Sequence, residues 1–226
     1  MPASLTLPQA FALLLVASDG RRIPPGQVLD AGLAGAALGE LALRGMVSLD
    51  HNRVIVAKAP PPGDPALDGF LTLLETAPAP RRPTSWVARL GNRGFREAVL
   101  NGLVARGVLG REEKRFLAVF PSVRWPERDA GPAKALRAEV SAVLRGQAEP
   151  TPFTSALIGL LQATRTLRPL FGTQDRALLR RITEGDWVAA AVRTIVQRAQ
   201  SAGGGADGAD GGDGGGGDGG GGGGGE

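Results

Sequence analysis

Apolar residues recur at helical spacing along most of this chain, and each such run ends in glycine or a Gly/Pro cluster. The most regular stretch runs from Val28 to Val56. Leu29, Leu33, Ala36, Ala37, Leu41 and Leu43 form one broad apolar face there, while Gly32, Ala34, Gly35 and Gly39 add almost no side-chain bulk. Each glycine costs a lone helix about 1 kcal/mol relative to alanine. Close approach by neighbouring helices offsets that loss, so this helix is expected at the centre of the fold. Arg44 and Gly45 end it, the glycine serving as a left-handed C-cap. Met46, Val47 and Leu49 then predict a strand, Asp50-His51-Asn52 a turn, and Val54-Ile55-Val56 the returning strand.

The same spacing predicts a buried helix over Ser4–Ser18, with Thr6 as N-cap and Pro8 in its first turn. A turn holding Arg21 and Arg22 follows. After the hairpin come a loop, APPPGDP, a short amphipathic helix over Leu67–Glu75, a proline-rich connector, and a helical turn over Thr84–Leu90 around Trp86. Phe95, Val99, Leu103 and Val104 mark the next helix, which Gly107 ends. Val108 and Leu109 begin a strand, Gly110–Arg115 reads as its turn and Phe116–Phe120 as its return. LALRGMVSL and LVARGVLGR thus share one order of helix, Arg-Gly stop and hairpin, which ordinary helix-stop chemistry explains without duplication. Pro121–Pro132 reads as a loop holding Trp125. Further helices are expected over Ala133–Leu144, over Phe153–Leu161 with an extension to Leu167 or Phe171, over Gln174–Glu184 and over Trp187–Gln200. The expected fold class is mainly α: a single helical domain over residues 1–202 with two short β-hairpins.

Composition changes the picture at the C-terminal end. Residues 203–226 contain only Gly, Ala, Asp and one Glu, so they have nothing to bury and are expected to form a disordered Gly/Asp-rich tail. The tail holds five acids, which leaves 17 acids against 26 Lys and Arg in the body, a net of +9 where the whole chain has +4. Such a body suits anionic partners: lipid headgroups, nucleic acid or acidic protein segments. A coding bias favouring Arg over Lys is the competing account. Cysteine is absent, which excludes disulfides, thiolate metal sites and a cysteine nucleophile and fits a cytoplasmic protein. The apolar run Phe11–Ala17 is too short to span a bilayer, and no Lys or Arg precedes it as a signal peptide would need.

An enzyme is not expected, nor a cofactor. His51, the single histidine, reads as a solvated turn residue. There is no phosphate-binding glycine loop, HExxH or GxSxG. Asp64 and Asp68 suit a helix cap and first turn better than a metal site. The arginines carry more chemistry. Arg89, Arg93 and Arg96 surround the start of the second glycine-stopped helix, and Arg93 and Arg96 are spaced to share a helix face. Two guanidinium forks beside free helix N–H groups make an anion site. A solvated face, or pairing with Glu97, is the plainer alternative.

The segments GLAGAALGELALRG, PPGDPALD, NGLVARGVLG and EGDWVAAAV, in that order, resemble the Golgi phosphoprotein 3 family of phosphoinositide-binding peripheral membrane proteins, and its bacterial branch more than its Golgi members. The resemblance covers roughly Leu5–Gln200. It implies a mostly helical single domain that binds phosphatidylinositol 4-phosphate and holds cytosolic tails of membrane glycosyltransferases. It also implies self-association through the Leu109–Phe120 hairpin. The family's headgroup pocket uses a tryptophan and an arginine around the central helix and two arginines three apart. The second pair matches Arg93 and Arg96; the first positions hold Pro25 and Ala34 here. Arg21, Arg22 or Arg89 would then supply the missing charge, and another anionic headgroup is a plausible ligand.

Three functions follow: a cytoplasmic, peripheral membrane-binding module for a phosphorylated headgroup; a protein-tail adaptor without lipid specificity; and a winged-helix nucleic-acid binder. The last is disfavoured, because Leu29–Leu43 offers no Arg, Lys, Asn or Gln to read a base edge.

Overall fold

The computed structural model describes residues 5–16, 24, 26–116 and 120–203. Its organising element is α2 (Gly26–Leu43), buried continuously from Ala31 to Leu41. The glycines explain the packing. A β-carbon at Gly32 would overlap the Phe11 ring, one at Gly35 would overlap Val192, and one at Gly39 would sit 3.0 Å from Leu7 Cδ2. Three neighbours therefore approach α2 at glycine-deep contact: α1 (Leu7–Leu15), α7 (Pro152–Ala163) and α10 (Trp187–Gly203). Only the end of the expected apolar face departs, since Leu43 is 43% exposed beyond the last packed turn.

Helix ends follow the local chemistry. Gly45 adopts φ +69°, its N–H reaches Ala42 O at 2.9 Å, and Met46 N–H reaches Leu41 O at 2.8 Å. This pair is the Schellman arrangement, and Gly107 (φ +72°) repeats it at the end of α5 (Arg93–Ala105). His51 and Asn52 both take positive φ, making the two-residue turn between β1 (Val47–Asp50) and β2 (Arg53–Val56). Asp64 caps α3 (Pro65–Glu75), accepting from Ala66 and Leu67 N–H, and Asp68 lies in its first turn. Helix α4 (Pro83–Leu90) buries Trp86 and Val87, and α6 (Gly131–Leu144) buries Leu136, Val140, Val143 and Leu144 as its spacing requires.

Two expectations need correction. The second hairpin lies further along the chain: β3 (Glu112–Phe116) pairs with β4 (Phe120–Arg124), so much of the polar segment taken for a turn is itself a strand. Val108 and Leu109 are instead buried at its base, where Val108 O accepts from Arg128 N–H at 2.9 Å. The expected Pro121–Pro132 loop accordingly begins as strand, and Trp125 is buried beside it. The ribbon's tip, residues 117–119, lies outside the described residues.

The long helix from Phe153 also stops early, at Ala163, and a separate α8 (Leu167–Phe171) follows. Arg165 takes φ +59° and closes a Schellman pair without glycine, through Arg165 N–H to Gln162 O and Thr166 N–H to Leu161 O. The buried Thr164 and Thr166 hydroxyls bond each other at 2.9 Å and reach the Leu160 and Leu161 carbonyls. Helix α9 (Arg176–Ile182) is shorter than expected, and α10 is the last described element. Residues 204–226, nearly all of the expected tail, lie outside the described residues. Among the described residues no helix is long and apolar enough to cross a membrane.

Candidate functional site

Helices α4 and α5 meet at a corner, Gly91-Asn92, that rests on the first turns of α2. A β-carbon at Gly91 would approach Asp30 O to 2.9 Å, so glycine lets the corner sit on the α2 backbone. Asn92 caps α5 by accepting from Phe95 N–H at 3.0 Å. The next residues of α5 are Arg93 and Arg96.

The structure separates these two arginines. Arg96 is turned inward, and its Nη1 pairs with Asp30 Oδ1 and reaches Gly26 O at 3.5 Å. Both side chains of the pair are largely buried, at 11% and 13% exposure. Arg93 is 75% exposed and pairs with Glu97 through Nε to Oε1 at 2.7 Å. Residues three apart are offset by about 60° around a helix, and the edge of the α2–α5 interface falls between them. The spacing predicts that the two share a helix face; the structure exposes Arg93 and turns Arg96 inward. Arg96 anchors α5 to α2 through Nη1, while its Nε and Nη2 make no hydrogen bond among the described residues.

Electrostatics at the exposed half are local. The hydrogen bond from Arg93 holds the Glu97 carboxyl below the usual carboxylate range, and Glu97 raises the Arg93 guanidinium above its ordinary value. Arg89, in the last turn of α4, is exposed and makes no ion pair or hydrogen bond among the described residues. Arg89 and Arg93 therefore flank one corner and can offer guanidinium N–H groups to an oxyanion. Arg21 and Arg22 lie outside the described residues, as does Pro25. Ala34 is fully buried, so that position offers a ligand no side chain.

Periodicity had not singled out Asp30 or Glu40, although they are the only charged residues in α2. A lone acid in a buried helix needs a partner, which is the signal that was available. Glu40 accepts from Leu7 N–H at 2.7 Å and from Arg44 Nε at 2.8 Å, so it caps α1 and closes α2 together. A cleft of about 950 Å³ lies beside it, lined by Leu5, Arg106, Leu136 and Phe153 among others; Arg89, Arg93 and Arg96 do not line it. His51 is solvated, with its side chain 91% exposed. Burial of α2 along its length leaves it unable to enter a nucleic-acid groove.

The sequence matches the family model described as Golgi phosphoprotein 3 (GPP34) over residues 7–199, from the first residue of α1 almost to the end of α10. No curated protein matches the chain.

Proposed function

Because the chain belongs to the Golgi phosphoprotein 3 family, we propose that it is a non-enzymatic, peripheral module that docks on the cytoplasmic face of a membrane by binding a phosphorylated lipid headgroup. The observation that carries this reading is the α4–α5 corner, where Arg89 is exposed and unpaired and Arg93 is exposed beside it. Arg96, held by Asp30, fixes the corner on α2. Phosphate oxygens would displace Glu97 from Arg93 and gain charge-assisted bonds of about 1.5–3 kcal/mol each. With Pro25 and Ala34 at the other pocket positions, selectivity for phosphatidylinositol 4-phosphate over other anionic headgroups is expected to be weak. Binding of membrane-protein tails and self-association through the β3–β4 ribbon are the family's other expected properties, secondary to the headgroup reading.

Sedimentation with vesicles tests it. Protein should pellet with anionic vesicles and not with phosphatidylcholine alone. Arg89→Ala with Arg93→Ala should weaken binding more than tenfold while leaving the melting temperature unchanged. Glu97→Gln should strengthen it, because it frees Arg93. Undiminished pelleting of the double variant refutes the site, and failure of the parent to bind any anionic vesicle refutes the membrane reading and leaves the tail adaptor in its place.

A further inference from the structure

The cleft beside Glu40 has a charge opposite to that of the body around it. Residues 1–202 carry 26 Lys and Arg against 17 acids. Among the charged residues that line the cleft, Glu40, Asp129 and Glu139 stand against Arg106 alone. Glu40 is answered by Arg44 at 2.7 Å, and Arg106 donates from Nη1 to Gln9 Oε1 at 3.3 Å. The other two acids lack such an answer. Asp129 is exposed and accepts from the Gly131 N–H at 2.8 Å, but meets no cation among the described residues. Glu139 is exposed and makes neither an ion pair nor a hydrogen bond among them.

Helix α6 sorts its own charges to the same effect. Pro132, Ala135, Leu136 and Glu139 line the cleft, and at about 100° per residue they fall within an arc of about 100°. Lys134 and Arg137, the two cations of the helix, lie about 150° from the centre of that arc. The one acid of α6 is therefore on the cleft side, and both cations are on the far side. Leu5, Val108 and Phe153 complete the walls with apolar surface. Val108 is buried, whereas Leu5 and Phe153 are only half-buried against the core, which leaves part of each for an occupant. A volume of about 950 Å³ is that of a small-molecule site.

We propose that this cleft binds a small organic cation with an apolar body, an alkyl- or arylammonium compound. Glu139 and Asp129 are its counterions, and Leu5, Leu136 and Phe153 hold its hydrocarbon part. Exposed carboxylates contribute little affinity each, so burial of the hydrocarbon supplies most of the binding and the two acids supply the choice of charge. An anion is disfavoured by the same acids. The site is thus separate from the α4–α5 corner, and it stands or falls independently of the headgroup reading.

Three ligands of one chain length test it: octylammonium, octanol and octanoate, each titrated into the full chain at low salt and followed by amide shifts. Octylammonium should move the amides of Leu5, Glu139 and Phe153. Each exposed ion pair is worth up to about fivefold, so it should bind about five- to twentyfold more tightly than octanol, with octanoate the weakest. Glu139→Gln with Asp129→Asn keeps both side-chain sizes and an acceptor for the Gly131 N–H. That double change should erase the preference for octylammonium over octanol and leave the melting temperature unchanged. Ala135→Trp, at an exposed lining position, should fill the cleft and abolish the octylammonium shifts. Equal affinity for the three ligands, or a preference that survives the double change, overturns the cation site. Octylammonium shifts that persist in Ala135→Trp, or no binding of octylammonium to the parent, overturn it as well. No vesicle enters these titrations, so their failure is distinct from failure of the membrane reading.

Discussion

Replacing Arg96 by alanine should unfold this protein more readily than any change at its exposed neighbour Arg93. The guanidinium is the single counterion that Asp30 has among the described residues, and both side chains keep only 11% and 13% of their exposure. Removing one partner of such a pair strands the other charge, at a cost of about 3–5 kcal/mol. The residual exposure favours the low end, about 3 kcal/mol. For a domain of this size each kcal/mol moves the melting temperature by about 2–4 °C, so a fall of about 6–12 °C is expected. Urea unfolding with an unchanged slope would report the same loss. A double-mutant cycle gives the sharper measurement. Asp30→Asn with Arg96→Met removes both charges, and its destabilisation should be well below the sum of the two single changes. Arg93→Ala, at a 75% exposed position, should stay within about 0.5 kcal/mol of the parent. An Arg96→Ala loss below about 1 kcal/mol, or additive single changes, would refute the anchoring role.

Other consequences can be measured directly. Asp186 has one carboxylate oxygen buried without a partner, and burial pushes its carboxyl above the ordinary Asp range, against the lowering effect of the Ala189 and Val188 N–H groups and Arg193. The native state therefore holds the proton more tightly than the unfolded chain, so this group's contribution is full below the ordinary Asp value of about 4 and falls as pH rises through the raised one. Asp186→Asn keeps a cap for Ala189 and should flatten that loss, leaving melts at pH 7 equal to or above the parent; a lower melting temperature at pH 7 argues against it. Gly35→Val should destabilise by more than about 1–3 kcal/mol in urea, since even a β-carbon overlaps Val192. Light scattering at micromolar concentration should give a mass above one chain if the β3–β4 ribbon self-associates, and a monomer at every concentration removes that idea.

Much of this protein was determined by the sequence alone, wherever the deciding interaction is local. Glycines after Arg44 and Arg106 end their helices because the left-handed cap closes within a few residues. Asp64 caps α3 for the same reason, and His51-Asn52 turns its hairpin through its own backbone angles. The central position of α2 was legible too, because glycine and alanine at that density are tolerated only under close packing.

Tertiary structure decided what depends on distant partners. Arg96 and Asp30 are 66 residues apart, so nothing in the α5 spacing says which arginine turns inward. The boundary was drawn by α2, seated against the Gly91 corner. The β3 strand escaped the pattern because a ribbon paired only with itself needs no apolar face, and its charged residues looked like a turn. Helix α7 ended without glycine because buried Thr164 and Thr166 satisfy the freed carbonyls, so the arginine at the left-handed position is held by its surroundings. Local hydrogen bonds are written in neighbouring residues, whereas the burial of a charge and the pairing of a strand are properties of surfaces that exist only once the chain has folded.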